Sequence, residues 1–378
     1  MKKIKMVDLK GQYNLIKNEV DKAVLDVIES TSFINGPSVK LFQKDLEKYL
    51  GVRNVIPCAN GTDALQICLM GLRLIPGDEI ITTDFTFAST VEVIELLGLT
   101  PVLIDIDPVS FNIDIDAVKK ALTSRTKAII PVHLFGQAAK MDELMEIADE
   151  NNIFVIEDNA QAMGAKYSSK DGTIKKTGSI GHLSATSFFP SKNLGAYGDG
   201  GAISTNDDNL AEYIRGIVNH GMYKRYYHDV VGVNSRLDSI QAAILKVKLK
   251  YLDDYNERRK KAASLYTELL INHPNIITPK VISGPNSHVF HQYTIRIVDK
   301  NRDKLVEYLN KKNIPCGVYY PVPLHSQKAY KNSSYNEKEF TITNQICKEV
   351  ISLPMHSELK KDQVQYIVEN ILSFIREN

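Results

Sequence analysis

Between residues 54 and 205 short apolar runs alternate with amphipathic stretches, and this alternation restricts the fold more than anything else in the chain. Strand-like runs fall at 55–59, 79–83, 101–106, 127–132, 154–157, 185–189 and 202–205, with helical spacing at 62–74, 89–97, 116–122 and 142–151 between most of them. Strands that alternate with helices predict an α/β fold: a large, mostly parallel seven-stranded sheet covered on both faces. Sheets of that kind take ligands beyond the carboxyl ends of their strands. The loops after Ala59, Thr83, Val132, Glu157 and Phe189 should therefore share one rim.

The polar residues gather on that rim. Asn60-Gly61-Thr62-Asp63 opens a helix, and backbone N–H groups there, with a threonine hydroxyl, suit an anion. Taken alone, the same residues read as a plain N-cap. Asp158 ends an apolar strand, where a carboxylate is costly unless it is paired; in isolation it reads first as a helix cap. Phe85-Thr86-Phe87 offers either a stacking face or core packing. After the run 185–189, Pro190 stops the strand, and Lys192 sits on a loop with Gly195, Gly198, Gly200 and Gly201. Glycines let backbone approach a ligand closely. By itself, Lys192 reads first as an ordinary surface-loop lysine; desolvation there would lower its pKa from about 10.4 and make it a nucleophile, as a Schiff-base lysine must be. A phosphate-binding P-loop is excluded, because the glycine–lysine–hydroxyl order that opens a helix is absent.

Outside this region, amphipathic helices are expected at about 9–29 and 39–50, broken at Gly36-Pro37, and a helix at 208–218 precedes the tyrosine-rich stretch 220–228. Residues 232–244 lead into one long helix ending near Arg259. Beyond it the pattern is α+β: strands at 293–298 and 317–320, a helix at 303–312, and terminal helices from about Thr343 and Lys361. This divides the chain into a large domain, 1–245, and a small C-terminal domain, 246–378, with the N-terminal helix a candidate to pack on the small one. Lys and Arg number 46 against 45 Asp and Glu, a net charge of +1, so no nucleic-acid or membrane footprint is expected. No apolar run nears the roughly 20 residues of a membrane span. The start of the chain has no apolar core behind its lysines, and the four cysteines show no Cys-x-x-Cys spacing. A cytoplasmic protein with reduced cysteines is the expectation.

Taken together, Asn60-Gly-Thr-Asp-Ala-Leu65, Pro76-Gly-Asp-Glu79, Phe85-Thr-Phe87, Pro131-Val-His-Leu-Phe-Gly136, Glu157-Asp-Asn-Ala-Gln-Ala162, Ser187-Phe-Phe-Pro-Ser-Lys192, Gly198-Asp-Gly-Gly201, Asn234-Ser-Arg-Leu-Asp238 and Tyr320-Pro-Val-Pro-Leu-His325 resemble the DegT/DnrJ/EryC1/StrS nucleotide-sugar aminotransferases. The resemblance runs nearly end to end. It implies the fold type I architecture of aspartate aminotransferase and pyridoxal 5'-phosphate as cofactor. It implies catalytic roles for Lys192, as Schiff-base lysine, and for Asp158, beside the pyridine nitrogen. Gln161 falls beside the cofactor's phenolic oxygen, Gly61, Thr62 and Ser187 on its phosphate, and Phe87 on its ring. Asn234 would reach the phosphate of the neighbouring subunit, which implies a homodimer with shared sites. Arg236, Tyr319, Tyr320 and His325 are the substrate candidates, and no metal is implied. Asn159 and Tyr319 stand where the family often has alanine and histidine.

The implied reaction moves an amino group from L-glutamate to a nucleotide-linked keto sugar. The likeness is greatest to enzymes acting on C3 of UDP-2-acetamido-2-deoxy-3-oxo-glucuronate for bacterial surface polysaccharide. A dTDP-3-keto-6-deoxyhexose 3-aminotransferase or a C4 enzyme is the alternative. A non-catalytic regulatory or sensory member is the alternative of another class, and Lys192, Asp158 and Gln161 together weigh against it.

Overall fold

The computed structural model describes residues 3–331 and 335–377. Two helices come first, α1 (Leu9–Ser30) and α2 (Pro37–Leu50). Asp8 caps α1 by accepting the Gly11 N–H, while Pro37 sits at the start of α2, where a missing N–H costs nothing. The α/β region follows as β1 (Asn54–Cys58), α3 (Gly61–Gly71), β2 (Glu79–Thr83), α4 (Ser89–Leu96), β3 (Thr100–Ile104), α5 (Ile115–Ala121), β4 (Thr126–Ile130), α6 (Met141–Asn151) and β5 (Phe154–Asp158). A two-stranded ribbon, β6 (Lys166–Ser168) with β7 (Ile174–Lys176), precedes β8 (Leu183–Ser187) and β9 (Gly201–Thr205).

All seven expected strands lie in one sheet, in the order β1-β9-β8-β5-β4-β2-β3. β3, β2, β4, β5 and β8 run parallel, and β9 lies antiparallel between β8 and β1. Because β9 returns directly beside β8, the residues between them form a loop closed at both ends by the sheet. The strands are apolar on both faces. One face packs on α3 and α4 through Leu65, Leu69, Val93 and Ile94, the other on α5 and α6 through Val118, Leu144 and Ile147.

The rest comprises α7 (Asp208–Ile217), the exposed ribbon β10 (Met222–Lys224) with β11 (Tyr227–His228), α8 (Ser239–Leu249), α9 (Leu252–Leu270), β12 (Ile276–Ile277), β13 (Tyr293–Ile297), α10 (Arg302–Lys311), α11 (Thr341–Glu349), β14 (Val350–Leu353) and α12 (Lys361–Glu377). The single long helix expected after residue 244 is two helices, broken at Lys250-Tyr251. The strand expected at 317–320 is reduced to one bridge, Gly317 with Ser352, after which Tyr319 and Tyr320 turn towards the sheet rim. β12-β13-β14 form a second sheet, and with α9, α10 and α12 they enclose a second core around Tyr266, Tyr293, Leu305 and Ile367. Leu245 and Leu249 of α8 belong to the first core, so the expected boundary at 245/246 lies inside α8, and the change of core comes within α9, from Ala262 onward. Helix α1 packs on α8 through Ile16, Val20, Ile244 and Val247; it is Ile4, ahead of it, that joins the second core.

Phe188 ties the β8–β9 loop to the first core. It is fully buried and meets Phe42 edge to face at 5.5 Å. Phe188→Ala should cost about 3–5 kcal/mol of stability, read as a lower urea midpoint at unchanged slope. An unchanged midpoint would show that the loop is not anchored there.

Candidate active site

The rim loops enclose a cavity of about 620 Å³. Its lining comes from the first turn of α3 (Asn60, Gly61, Thr62), the turn before α4 (Thr86, Phe87), the end of β5 (Asp158, Ala160, Gln161), the end of β8 (Ser187) and the glycine loop (Ser191, Lys192, Asp199). Residues from the later part of the chain, His291, Gln292, Tyr319 and Tyr320, complete it.

Asp158 is the deepest charge. Its carboxylate accepts the Thr90 hydroxyl at 2.9 Å and the Ala160 N–H at 3.2 Å. Burial raises its pKa, against the pull of Ala160, Thr90, Lys192 and His133. Behind it, Glu157 is fully buried and accepts the N–H groups of Gly178, Ile180 and Gly181. His133 accepts the Ala139 N–H on Nδ1, so its Nε2 carries the hydrogen and donates to Glu157 at 2.8 Å. Burial works against ionisation of Glu157, yet His133 and these backbone donors hold its carboxyl below the usual range. Strand β5 therefore ends with one satisfied carboxylate and one short of positive charge.

Lys192 supplies part of that charge. Burial pushes its amine down to about 8, and Asp158 limits the fall. The loop that carries it is held by backbone bonds from Phe188 N–H to Gly200, Ala196 N–H to Phe188 and Lys192 N–H to Phe189. A Cβ on Gly195 would collide with the Pro190 carbonyl. Lys248, fully buried on α8, donates to the Gly195 carbonyl from beneath and lies 5.1 Å from the centre of the Tyr197 ring.

Asn60 caps α3 by accepting the Asp63 N–H at 2.8 Å, and the Ala64 N–H closes on the Asn60 carbonyl. The N–H groups of Gly61 and Thr62, first in the helix, have no carbonyl of their own turn to meet. The helix N-terminus thus faces Ser187 across a gap so narrow that a Cβ on Gly61 would sit 2.6 Å from Ser187 Cβ. Gln161 accepts the Phe135 N–H at 2.6 Å and donates to the Tyr320 hydroxyl at 3.3 Å. Phe87 is 58% exposed, with its ring 6.4 Å from that of Tyr320.

Nine expected residues thus meet in one cavity: Gly61, Thr62, Phe87, Asp158, Gln161, Ser187, Lys192, Tyr319 and Tyr320. Three do not. His325, expected to contact substrate, is buried away from the cavity; its Nδ1 lies 2.6 Å from Asp84 and its ring stacks on Phe340 at 4.3 Å. An acid–base partner and an aromatic neighbour have taken both its polar and its apolar capacity. Asn234 bridges Asn219, and Arg236 donates to the Asn219 side chain at 3.3 Å, both outside this chain's own cavity. Thr90, His291 and Asp199 were not foreseen. Thr90 opens α4 beside Thr86 of the preceding turn, their hydroxyls 3.2 Å apart, a proximity that no local pattern announced. His291 had no signal beyond a histidine in an apolar run.

A lysine with a depressed pKa and a buried carboxylate line one cavity, beside a helix N-terminus that suits an anion. Residues 14–372 match the DegT/DnrJ/EryC1/StrS aminotransferase family. A "pleiotropic regulatory protein" of Geobacillus stearothermophilus is 48% identical over 99% of both chains. The UDP-2-acetamido-2-deoxy-3-oxo-D-glucuronate aminotransferase of Pseudomonas aeruginosa is 43% identical over 96% of this chain and 98% of its own. The dTDP-3-amino-3,6-dideoxy-alpha-D-galactopyranose transaminase of Aneurinibacillus thermoaerophilus is 41% identical, over 97% and 98%. Among solved structures, Bacillus subtilis NtdA with bound cofactor PMP superposes with a TM-score of 0.88 at 30% identity, covering 96% of this chain and 82% of that one. The chain belongs to the DegT/DnrJ/EryC1/StrS aminotransferase family, and it is an aminotransferase.

In the ligand-free chain, Lys192 should react with a neutral amine reagent half-maximally near pH 8, well below the value of about 10.4 usual for exposed lysines. Peptide mass spectrometry across a pH series measures it. A Lys192 profile matching exposed lysines would show that burial does not govern the amine.

Proposed function

We propose that the chain transfers an amino group from L-glutamate to a nucleotide-linked keto sugar, using pyridoxal 5'-phosphate held in the cavity. One observation carries this reading: the depressed amine of Lys192 and the undercompensated carboxylate of Asp158 share a single cavity. The residues fit the cofactor. Asp158 needs a cation, which a pyridine N–H supplies. Gly61, Thr62 and Ser187 line the cavity side by side, so backbone N–H groups at a helix start and a serine hydroxyl are available to a phosphate there. Phe87 offers an exposed aromatic face on the same wall.

When bound, the cofactor carries the amino group and accepts the electrons released at the carbon that loses a proton. The chain's own residues do the rest. Asp158 keeps the ring nitrogen protonated, with Thr90 and Ala160 fixing the carboxylate. Gly61, Thr62 and Ser187 would hold the phosphate, and Gln161, tied to Tyr320, would border the ring. Nζ of Lys192, neutral above about pH 8, takes the proton from the α-carbon of the donor. With the acceptor bound it returns a proton to the sugar carbon that receives the amine.

Lys192 is the only lysine or arginine lining the cavity among the described residues, although the cofactor phosphate and a sugar pyrophosphate are both anions. We therefore assign Asn234 and Arg236 to the cavity of a second copy, in a homodimer with shared sites. Arg236 would then read the C6 carboxylate of a UDP-2-acetamido-2-deoxy-3-oxo-glucuronate, its planar fork matching that group, in a route to O-antigen or other lipopolysaccharide sugars. The 41% identity to a dTDP-sugar enzyme favours a second reading, a dTDP-3-keto-6-deoxyhexose. A regulatory role, which the name of the Geobacillus relative suggests, leaves the Lys192–Asp158 pairing without a purpose.

Lys192→Ala should abolish turnover while cofactor absorbance is retained, and Asp158→Asn should lower kcat by roughly 10²–10³-fold at unchanged fold. Near-normal kcat in either variant would remove that residue from the chemistry. Arg236→Ala should raise KM for the uronate sugar by roughly ten- to a hundredfold and leave KM for the neutral-C6 sugar unchanged. Equal effects on both sugars would exclude carboxylate reading, and a wild-type preference for the 6-deoxy sugar would establish the second reading.

A further inference from the structure

A chain of buried amides fixes the state of His291. Asn256 Nδ2 donates to the Met163 carbonyl at 3.0 Å, so Asn256 Oδ1 is free to accept Asn193 Nδ2 at 2.7 Å. Asn193 Nδ2 also donates to the Val289 carbonyl at 3.2 Å. Both carbonyls accept only, so neither amide can be reversed. Asn193 Oδ1 must then be the acceptor in its 3.2 Å contact with His291 Nδ1, which therefore carries the hydrogen. The ring is left with a bare Nε2, to which no described residue donates, and His291 lines the cavity with Lys192. The backbone of His291 is fixed too, since Arg259 donates to the carbonyls of Phe290 and His291, both at 3.2 Å. Asn193 adjoins Lys192 in sequence, so one network sets both the loop and the ring.

We propose that His291 is a positioning residue for Lys192: its Nε2 accepts a hydrogen bond from the ε-ammonium and holds that group at the reacting carbon while it carries the proton. The ring can serve as acceptor throughout, because burial, with Lys192 and Arg259 nearby, keeps it neutral. The proposal rests on Lys192 being the proton carrier, but its test reads the amine itself. The other ionisable groups lining the cavity are Asp158, Asp199, Tyr319 and Tyr320, and none of them is altered by the test.

The two variants are His291→Gln, which keeps an acceptor at the Nε2 position, and His291→Asn, which keeps only the group facing Asn193. Both are polar and suited to the buried network, and thermal unfolding checks their folding. The full-length protein, carrying its cofactor in the pyridoxamine form so that the lysine amine is free, is methylated reductively across a pH series, and Lys192 is quantified by peptide mass spectrometry. An acceptor for the ammonium raises the lysine pKa. His291→Asn should therefore lower the apparent Lys192 pKa by about one unit or more, the size of one charge-assisted hydrogen bond. His291→Gln should stay within a few tenths of a unit of wild type. Equal shifts in both variants would reduce His291 to packing, and no shift in either would remove it from Lys192 altogether; each result overturns the proposal. Loss of turnover in Lys192→Ala is scored separately, so failure of the proton-carrier reading is distinguishable from failure of this one.

Discussion

The structure turns on a carboxylate that its surroundings do not fully balance. Asp158 ends the central strand of the sheet, buried, with one hydroxyl and one backbone N–H as its neutral partners. Removing the compensation of a buried charge costs several kcal/mol, so everything near Asp158 is arranged around its need for a cation. Lys192 answers from the loop after the neighbouring strand β8, and a protonated ring would answer from the cavity. The neighbouring Glu157 shows the contrast. With three backbone donors and His133 it is satisfied, serves the sheet and takes no part in the cavity.

The same logic explains what lies under the lysine loop. Lys248 and Arg259 are buried cations with no carboxylate bonded to them among the described residues, and both spend their donors on main-chain carbonyls: Gly195 for the first, Phe290, His291 and Met355 for the second. Carbonyls are weak partners for a full charge. Burial accordingly lowers the pKa of Lys248 to about 7. Such an arrangement fixes backbone position instead of adding stability, and the two backbones it fixes are those that carry Lys192 and His291.

Much of this was legible in the residues. The strands of the large sheet, the rim they share and the cluster around Lys192 and Asp158 follow from local alternation, from glycines and from a carboxylate at a strand end. What was not legible depends on distant partners. Residues 317–320 read as a strand, but only Gly317 finds a partner, and Tyr319 and Tyr320 go to the cavity. The break at Lys250-Tyr251 carries no proline or glycine to announce it. His325 was a substrate candidate only through the family resemblance of the motif that it ends; Asp84, far away in sequence, claims it. The tautomer of His291 is set by amides whose neighbours come from four separate stretches of the chain, and no local pattern encodes that.

The antiparallel strand β9 carries a consequence for how the molecule forms. Its partner on one side, β8, is close in sequence, while its partner on the other, β1, lies near the start of the α/β region, with Asn54 opposite Thr205. Pairings across such separations close slowly, because the chain entropy is lost before contacts repay it. On the ribosome the edge strand β1 must wait, unpaired on that flank, until Thr205 has emerged. An exposed strand edge at that stage invites pairing with other chains. The Phe188 N–H to Gly200 bond closes the glycine loop at the entry to β9, so the loop that carries Lys192 takes its shape from the pairing of β8 with β9.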